Sequence, residues 1–255
     1  MATKTHEEAK TLLSEGAASL GVRLGSERLE VLLDLAYRIL KKNREINLTG
    51  AKNLPTLLTD HILDSLTLVP FLDAQSTPLA GVRPLLVDVG TGGGFPALPL
   101  AIVMDRLDYL CIESVAKKAR VLKDLCKSLK LNHVAVINDR AEVVAHEPRW
   151  REQAAWATAR GVGNLAAQCE LTLPFLRVGG KFLAQKGPDV RDEVLDAQHA
   201  LSVLGGRVGV AVSVGPERPS GRRTIVAIEK IARTPLDYPR RIGVPAKEPL
   251  RRPAE

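Results

Sequence analysis

The sequence predicts an α/β fold: a doubly wound, mostly parallel seven-stranded sheet, preceded by an N-terminal helical extension. Two observations carry this. From residue 85 onward, short β-type apolar runs alternate with longer amphipathic stretches. That alternation builds a parallel sheet covered on both faces by helices. Before residue 73, by contrast, the apolar residues recur at helical spacing. A length of 255 residues suits one large α/β domain with a modest extension.

The elements follow in order. Ser26 is placed to cap a helix whose apolar face is Leu29, Leu32, Leu33, Ala36, Ile39 and Leu40. Lys41, Lys42 and Arg44 stand at its C-terminal end, where the helix dipole favours positive charge. A second helical stretch runs over 54–72, and Pro78, Gly81 and Pro84 mark 73–84 as a loop. Strands are expected at 85–89, 107–112, 133–137, 155–158, 181–184, 206–213 and 224–228. Between the second and third lies a helix with Val115, Ala119, Leu122, Leu125, Cys126 and Leu129 on one face. Its other face carries Lys117, Lys118, Arg120, Lys123, Lys127 and Lys130. The last two strands have a short connection and predict an antiparallel hairpin, with one reversed strand at the sheet edge. From Arg233 onward five prolines forbid a long helix and predict an extended tail. The expected division is therefore 1–80 helical extension, 81–232 α/β domain, and 233–255 basic tail packed on that domain.

Hydrophobic residues make up 45% and charged residues 25%, as in a soluble globular protein. The apolar runs are too short to span a bilayer, and the N-terminus has no secretory stretch, so no membrane partner and a cytoplasmic location are expected. Cys111, Cys126 and Cys169 are odd in number and widely spaced, which supports neither a disulfide framework nor a metal site. The net charge is +7, and the segment from Glu217 onward carries +5 of it. A polyanionic partner and a merely solvated basic tail both fit that asymmetry.

The informative segment is Val87-Asp88-Val89-Gly90-Thr91-Gly92-Gly93-Gly94-Phe95-Pro96, which follows a strand and opens a helix. Glycines there let the backbone turn sharply and approach a ligand closely. The dinucleotide fingerprint G-x-G-x-x-G fails, because Phe95 stands at its third glycine. An acid followed by alternating glycines resembles instead the first motif of methyltransferases that use S-adenosylmethionine. Glu113 ends the second strand, where an acid can accept the ribose hydroxyls of a nucleoside or simply favour a helix N-terminus. After the third strand come Asp139-Arg140-Ala141-Glu142, where an adenine edge would be read. No N-P-P-Y or D-P-P-Y follows the fourth strand, and no cysteine has a Pro-Cys context. Those absences disfavour amine methylation of bases and covalent attack on a pyrimidine.

Taken with Asn47-Leu48-Thr49, His61-Ile62-Leu63-Asp64-Ser65, Arg140-Ala141-Glu142, Ala159-Arg160, Gln185-Lys186-Gly187 and Tyr238-Pro239-Arg240-Arg241, the chain resembles the bacterial ribosomal RNA small subunit methyltransferase G family. That family is also called glucose-inhibited division protein B. The resemblance covers nearly the whole chain. It implies a Rossmann-like class I fold and methyl transfer from S-adenosylmethionine to N7 of a guanine in small-subunit ribosomal RNA. It implies cofactor contacts at Gly90, Gly92, Phe95, Ala141, Glu142 and Arg160, with Glu113 at the ribose. Gly93 and Gly161 depart from it, standing where relatives more often carry Ala or Pro, and Ala, respectively. Guanine N7 is an unprotonated acceptor, so no general base is assigned. Asp64 is the candidate to stabilise charge developing on the ring. His61 is a candidate for contact with the guanine, and Lys186, Arg240 and Arg241 for phosphates. The expected partner is small-subunit ribosomal RNA or a subunit particle, with no metal and no obligate protein partner. The main alternative is a methyltransferase acting on a small molecule; an NAD-type oxidoreductase and a non-catalytic RNA-binding protein are more distant ones.

Overall fold

The computed structural model describes residues 2–73, 82–215 and 222–251. Two long helices come first, α1 (Ala2–Ser19) and α2 (Ser26–Asn43). Gly25, not Ser26, occupies the cap position of α2, and no side chain caps it. The expected second helix is broken. It comprises α3 (Leu54–Leu57), a π-helical stretch Leu58–Leu63, α4 (Asp64–Leu66) and α5 (Val69–Asp73). The predicted boundary at 80/81 falls outside the described residues.

The strands are β1 (Leu85–Val89), β2 (Asp108–Ile112), β3 (Val134–Ile137), β4 (Ala154–Ala159), β5 (Leu176–Lys186), β6 (Gly206–Val214) and β7 (Arg223–Lys230). They form one sheet in the order β3-β2-β1-β4-β5-β7-β6. Strands β1 to β5 pair in parallel, and β7 pairs antiparallel with both β5 and β6. The hairpin is as expected, but the reversed strand β7 lies inside the sheet rather than at its edge. Its apolar run from Ile225 to Ile228 is buried on both faces, which suits an internal position. β6, with most residues exposed or half-exposed, takes the edge.

Helices α6 (Ala97–Val103), α7 (Ala116–Ser128), α8 (Ala141–Val144), α9 (Leu165–Thr172), α10 (Arg191–Asp196), α11 (Gln198–Leu204) and α12 (Val244–Lys247) connect or flank the strands. Strand alternation divides the core into two layers. Leu86, Tyr109 and Cys111 point to one face, where they join α2, α6 and α7. Val87, Leu110 and Ile112 point to the other, against α8, α9 and α11. Buried residues of α1 and α2, such as Leu13, Leu32 and Ile39, belong to the first layer. The N-terminal helices are therefore built into the sheet's own core. All three cysteines are buried and unpaired by disulfides.

The C-terminal segment is laid along the second face and held by side chains. Arg151 donates to the carbonyls of Tyr238 and Thr234 at 2.8 and 3.0 Å. His146 contacts the Pro239 carbonyl at 2.8 Å. Its one regular piece is the four-residue α12, consistent with the spacing of its prolines.

Candidate functional site

The direction of strand crossover reverses between β1 and β4: β1 runs on to β2 on one side, and β4 to β5 on the other. Ligand crevices of open α/β sheets form at such points, beyond the carboxyl ends of the strands. The glycine loop sits there. The N–H groups of Gly90 and Thr91 donate to the Ile112 carbonyl at 2.9 and 3.2 Å, which ties the loop to β2. Gly90 has φ +68°, and a Cβ on it would lie 2.5 Å from Val162 Cγ2. Gly93 approaches the Leu48 carbonyl so closely that a Cβ would lie 3.0 Å from that oxygen. The departure to glycine at 93 thus matches the tight seat of the 47–51 loop.

Glu113, buried at the end of β2, accepts from Gly92 N at 2.9 Å through Oε2 and from Val115 N at 2.7 Å through Oε1. One carboxylate therefore holds both the glycine loop and the entry to α7. Each oxygen keeps a further lone pair for a donor. Asp88 lies fully buried beneath the loop, accepting from Thr158 Oγ1 at 3.0 Å, while its Oδ2 has no hydrogen-bond partner. Burial pushes its carboxyl up to about 7, against its hydroxyl neighbours and the Arg160 charge. A cleft of about 150 Å³ opens between these parts, lined by Gly90, Ile112, Ser114, Ala141, Glu142 and Val162 among others. Burial raises the Glu142 carboxyl, but Arg140 and the Gly243 N–H outweigh it and hold the pKa below the usual range. Arg140 Nη2 and Gly243 N both reach Glu142 Oε1, at 2.8 and 2.9 Å.

On the β4 side of the loop a second cluster forms. The π-helical stretch brings Asp60, His61 and Asp64 toward Arg160; such wide turns frequently occur at functional sites. Arg160 donates to Asp64 Oδ2 at 2.9 Å, to His61 Nδ1 at 2.7 Å and to the Asp60 carbonyl at 3.3 Å. Its guanidinium lies 5.4 Å from the centre of the buried Phe95 ring, and His61 lies 4.9 Å from the same ring. An arginine only donates, so His61 Nδ1 is the acceptor and Nε2 carries the proton toward Thr49 Oγ1, 2.6 Å away. Burial first, then the Arg160 charge, lowers His61 to about 4. Asp64 is fully buried, and Arg223 from β7 donates to its Oδ1 at 2.8 Å.

A family model described as rRNA small subunit methyltransferase G matches residues 28–221. The chain belongs to that family. A "Ribosomal RNA small subunit methyltransferase G" of Roseiflexus castenholzii is 41% identical, covering 92% of this chain and 97% of that one. One from Alkaliphilus metalliredigens is 34% identical over 96% of this chain and all of its own length. Among solved structures, a crystal structure described as that of a candidate O-methyltransferase from Klebsiella pneumoniae aligns with TM-score 0.52 at 13% identity. It covers 78% of this chain and 90% of its own, a likeness of fold alone.

In this member of the rRNA small subunit methyltransferase G family, the structure brings most of the expected residues to one edge of the sheet. Gly90, Ala141 and Glu142 line the cleft, and Glu113, between the lining residues Ile112 and Ser114, is tied to Gly92. Phe95, Arg160, His61 and Asp64 form the adjoining cluster. The expected phosphate contacts are placed differently. Lys186 is buried and paired with Glu193 at 2.5 Å. Arg240 clamps the fully buried Glu170 with Nε at 2.9 Å and Nη2 at 2.7 Å. Both side chains are paired with carboxylates of the chain itself, the half-exposed Glu193 and the buried Glu170, whereas Arg241 is exposed. Three further residues organise the site. Asn43 holds the 47–51 loop with four hydrogen bonds, accepting from Leu48 and Thr49 and donating to the Thr49 and Ala51 carbonyls. Gln185 donates to the Asp64 carbonyl at 2.7 Å, and Arg223 completes the Asp64 pair. Asn43 closely precedes the quoted Asn47-Leu48-Thr49, which was the available signal; Arg223 lies 159 positions from its partner and gave none. Among the described residues, no group of three or more His, Cys, Asp or Glu could hold a metal ion, and no helix is long and apolar enough to cross a membrane.

Proposed function

We propose that the protein transfers a methyl group from S-adenosylmethionine to N7 of a guanine in small-subunit ribosomal RNA, acting in the cytoplasm on the RNA or a subunit particle. The residues present suit this donor. A buried acid with an unpartnered oxygen, Asp88, lies under the glycine loop. Glu113 keeps lone pairs for ribose hydroxyls, and Gly90 lets the loop pass close to Val162 at the edge of the cleft, where a Cβ would clash. Gly92, Phe95, Ala141, Glu142 and Arg160 would complete the contacts. Bound S-adenosylmethionine supplies the electrophilic methyl.

One observation carries the choice of reaction. The base and the acid beside Arg160 are already engaged: both ring nitrogens of His61 are in hydrogen bonds, and both oxygens of Asp64 face arginines. Neither is set up to take a proton. Guanine N7 has none to lose, so alignment and electrostatics suffice. Asp64 acts through Arg160, fixing its guanidinium beside Phe95.

The test is to incubate the protein with methyl-labelled donor and small-subunit ribosomal RNA, bare and in particles lacking the modification, then map the label. Label at guanine N7 is expected. Label at another RNA atom keeps the donor and discards the target. Donor binding without RNA labelling points to a small-molecule acceptor.

A further inference from the structure

The exposed face of α7 is a different kind of surface from the cleft beside it. Residues 117–130 hold six Lys or Arg against one acid, Asp124, a net +5 within fourteen positions. Lys117, Arg120, Lys123, Lys127 and Lys130 are exposed, while Ala119, Val121, Leu122, Leu125 and Cys126 turn into the core. The spacing of three, three and four keeps Lys117, Arg120, Lys123 and Lys127 on one side of the helix, and Lys130 lies just past its C-terminal end. The four helical cations span about 15 Å at 1.5 Å per residue. No ion pair or side-chain hydrogen bond engages any of them among the described residues. Alongside runs a groove of about 430 Å³ between α2 and α7, where Lys41 and Lys42 face Asp124 and Ser128. Lys41 is also exposed and unpaired.

The row starts at the site. Glu113, which holds the glycine loop, also holds Val115 at the head of α7. Only Ser114, Val115 and Ala116 separate Lys117 from the cleft, whose lining includes Ser114. An unneutralised line of fixed cations with a groove beside it complements a chain of phosphates. The ridge itself is charged, and Val115 is the exposed apolar residue at its end.

We propose that Lys117, Arg120, Lys123 and Lys127 form a phosphate-binding rail that holds the RNA backbone next to the methylated base, with Lys41 on the opposite lip of the groove. This rests on the ribosomal RNA reading above. The rail sets affinity and register; it touches neither donor nor target base.

The experiment compares wild type with a combined Lys117→Gln, Arg120→Gln, Lys123→Gln and Lys127→Gln variant. Binding to small-subunit ribosomal RNA is measured across roughly 50 to 200 mM salt, with methyl-transfer kinetics and S-adenosylmethionine affinity alongside. The expected variant binds RNA at least about tenfold more weakly at ~100 mM salt. Its log–log salt slope is shallower by about 3, at ~0.7–0.9 per lost phosphate contact. KM for RNA rises while kcat and donor affinity hold. If wild type shows a steep slope and the variant keeps it, the rail is overturned and the ribosomal RNA reading stands. If wild type binds RNA with no salt dependence, both fall together. If the variant keeps RNA binding but loses binding to phosphatidylserine vesicles, the face is a lipid surface and the proposal is overturned.

Discussion

From Glu217 onward the chain carries ten Lys or Arg against five acids; residues 117–130 carry six against one. The two segments have equal net charge, yet their cations stand in different surroundings. In the C-terminal segment the key cations turn inward. Arg223 meets Asp64, Arg240 meets Glu170, and Lys230 is buried among the Leu173 and Leu204 carbonyls and the Thr234 hydroxyl. Burial lowers the Lys230 ammonium to about 8, and three oxygen acceptors hold it. On α7, among the described residues, no acid from another element pairs with these cations. Positive charge counted along a sequence does not say whether the charge is available. What decides it is whether the fold delivers an acid from elsewhere.

The largest effect that would break this comparison is at Arg240. Its guanidinium makes two contacts to Glu170, whose side chain is fully buried. Arg240→Ala leaves that carboxylate buried without its partner, a loss of about 3–5 kcal/mol. Urea unfolding measures it, and a loss under about 1 kcal/mol would return Arg240 to the pool of available charges. Arg240→Lys should recover part of the stability, because it keeps charge but not the forked geometry.

A second effect depends on pH and belongs to the inward cluster. His61 is held near 4 in the fold, below the ordinary histidine value of about 6.5. The unfolded chain therefore binds the proton first. The neutral ring's contribution is complete above about 6.5 and is lost as pH falls toward 4. Protonation would also turn Nδ1 into a donor facing Arg160. Stability measured from pH 7 down to 4 should fall, and His61→Gln should flatten part of that limb. An unchanged limb in the variant would detach His61 from the Arg160 network.

The same division marks what the sequence made legible. The strands could be read because apolar runs of the right length stand between turn residues, and the loop from Asp88 to Phe95 because its parts are contiguous. Glu113 could be read because strand ends are local. The Asp64–Arg160–Arg223 cluster could not, since its members lie 96 and 159 positions from Asp64. Nor could the inner position of β7: a hairpin pattern says which strands are joined, not which of them pairs with β5. Lys186 and Arg240 read as phosphate contacts for the same reason. Glu193 and Glu170 are brought to them by the fold, 7 and 70 positions away.

The smallest effect has the opposite sign from the first. On α7, Lys117 and Arg120, Arg120 and Lys123, and Lys123 and Lys127 are like charges three or four residues apart. Each such pair destabilises a helix by about 0.2–0.5 kcal/mol. Replacing the four cations by glutamine should therefore leave the unfolding free energy unchanged or raise it by about 1 kcal/mol at low salt, with the gain fading as salt screens the row. A marked destabilisation would mean that acids outside the helix do reach these side chains, and the contrast between the two basic segments would fail. A small gain, set beside weakened RNA binding in the same variant, is the signature of charge placed for a partner at the expense of the helix that carries it.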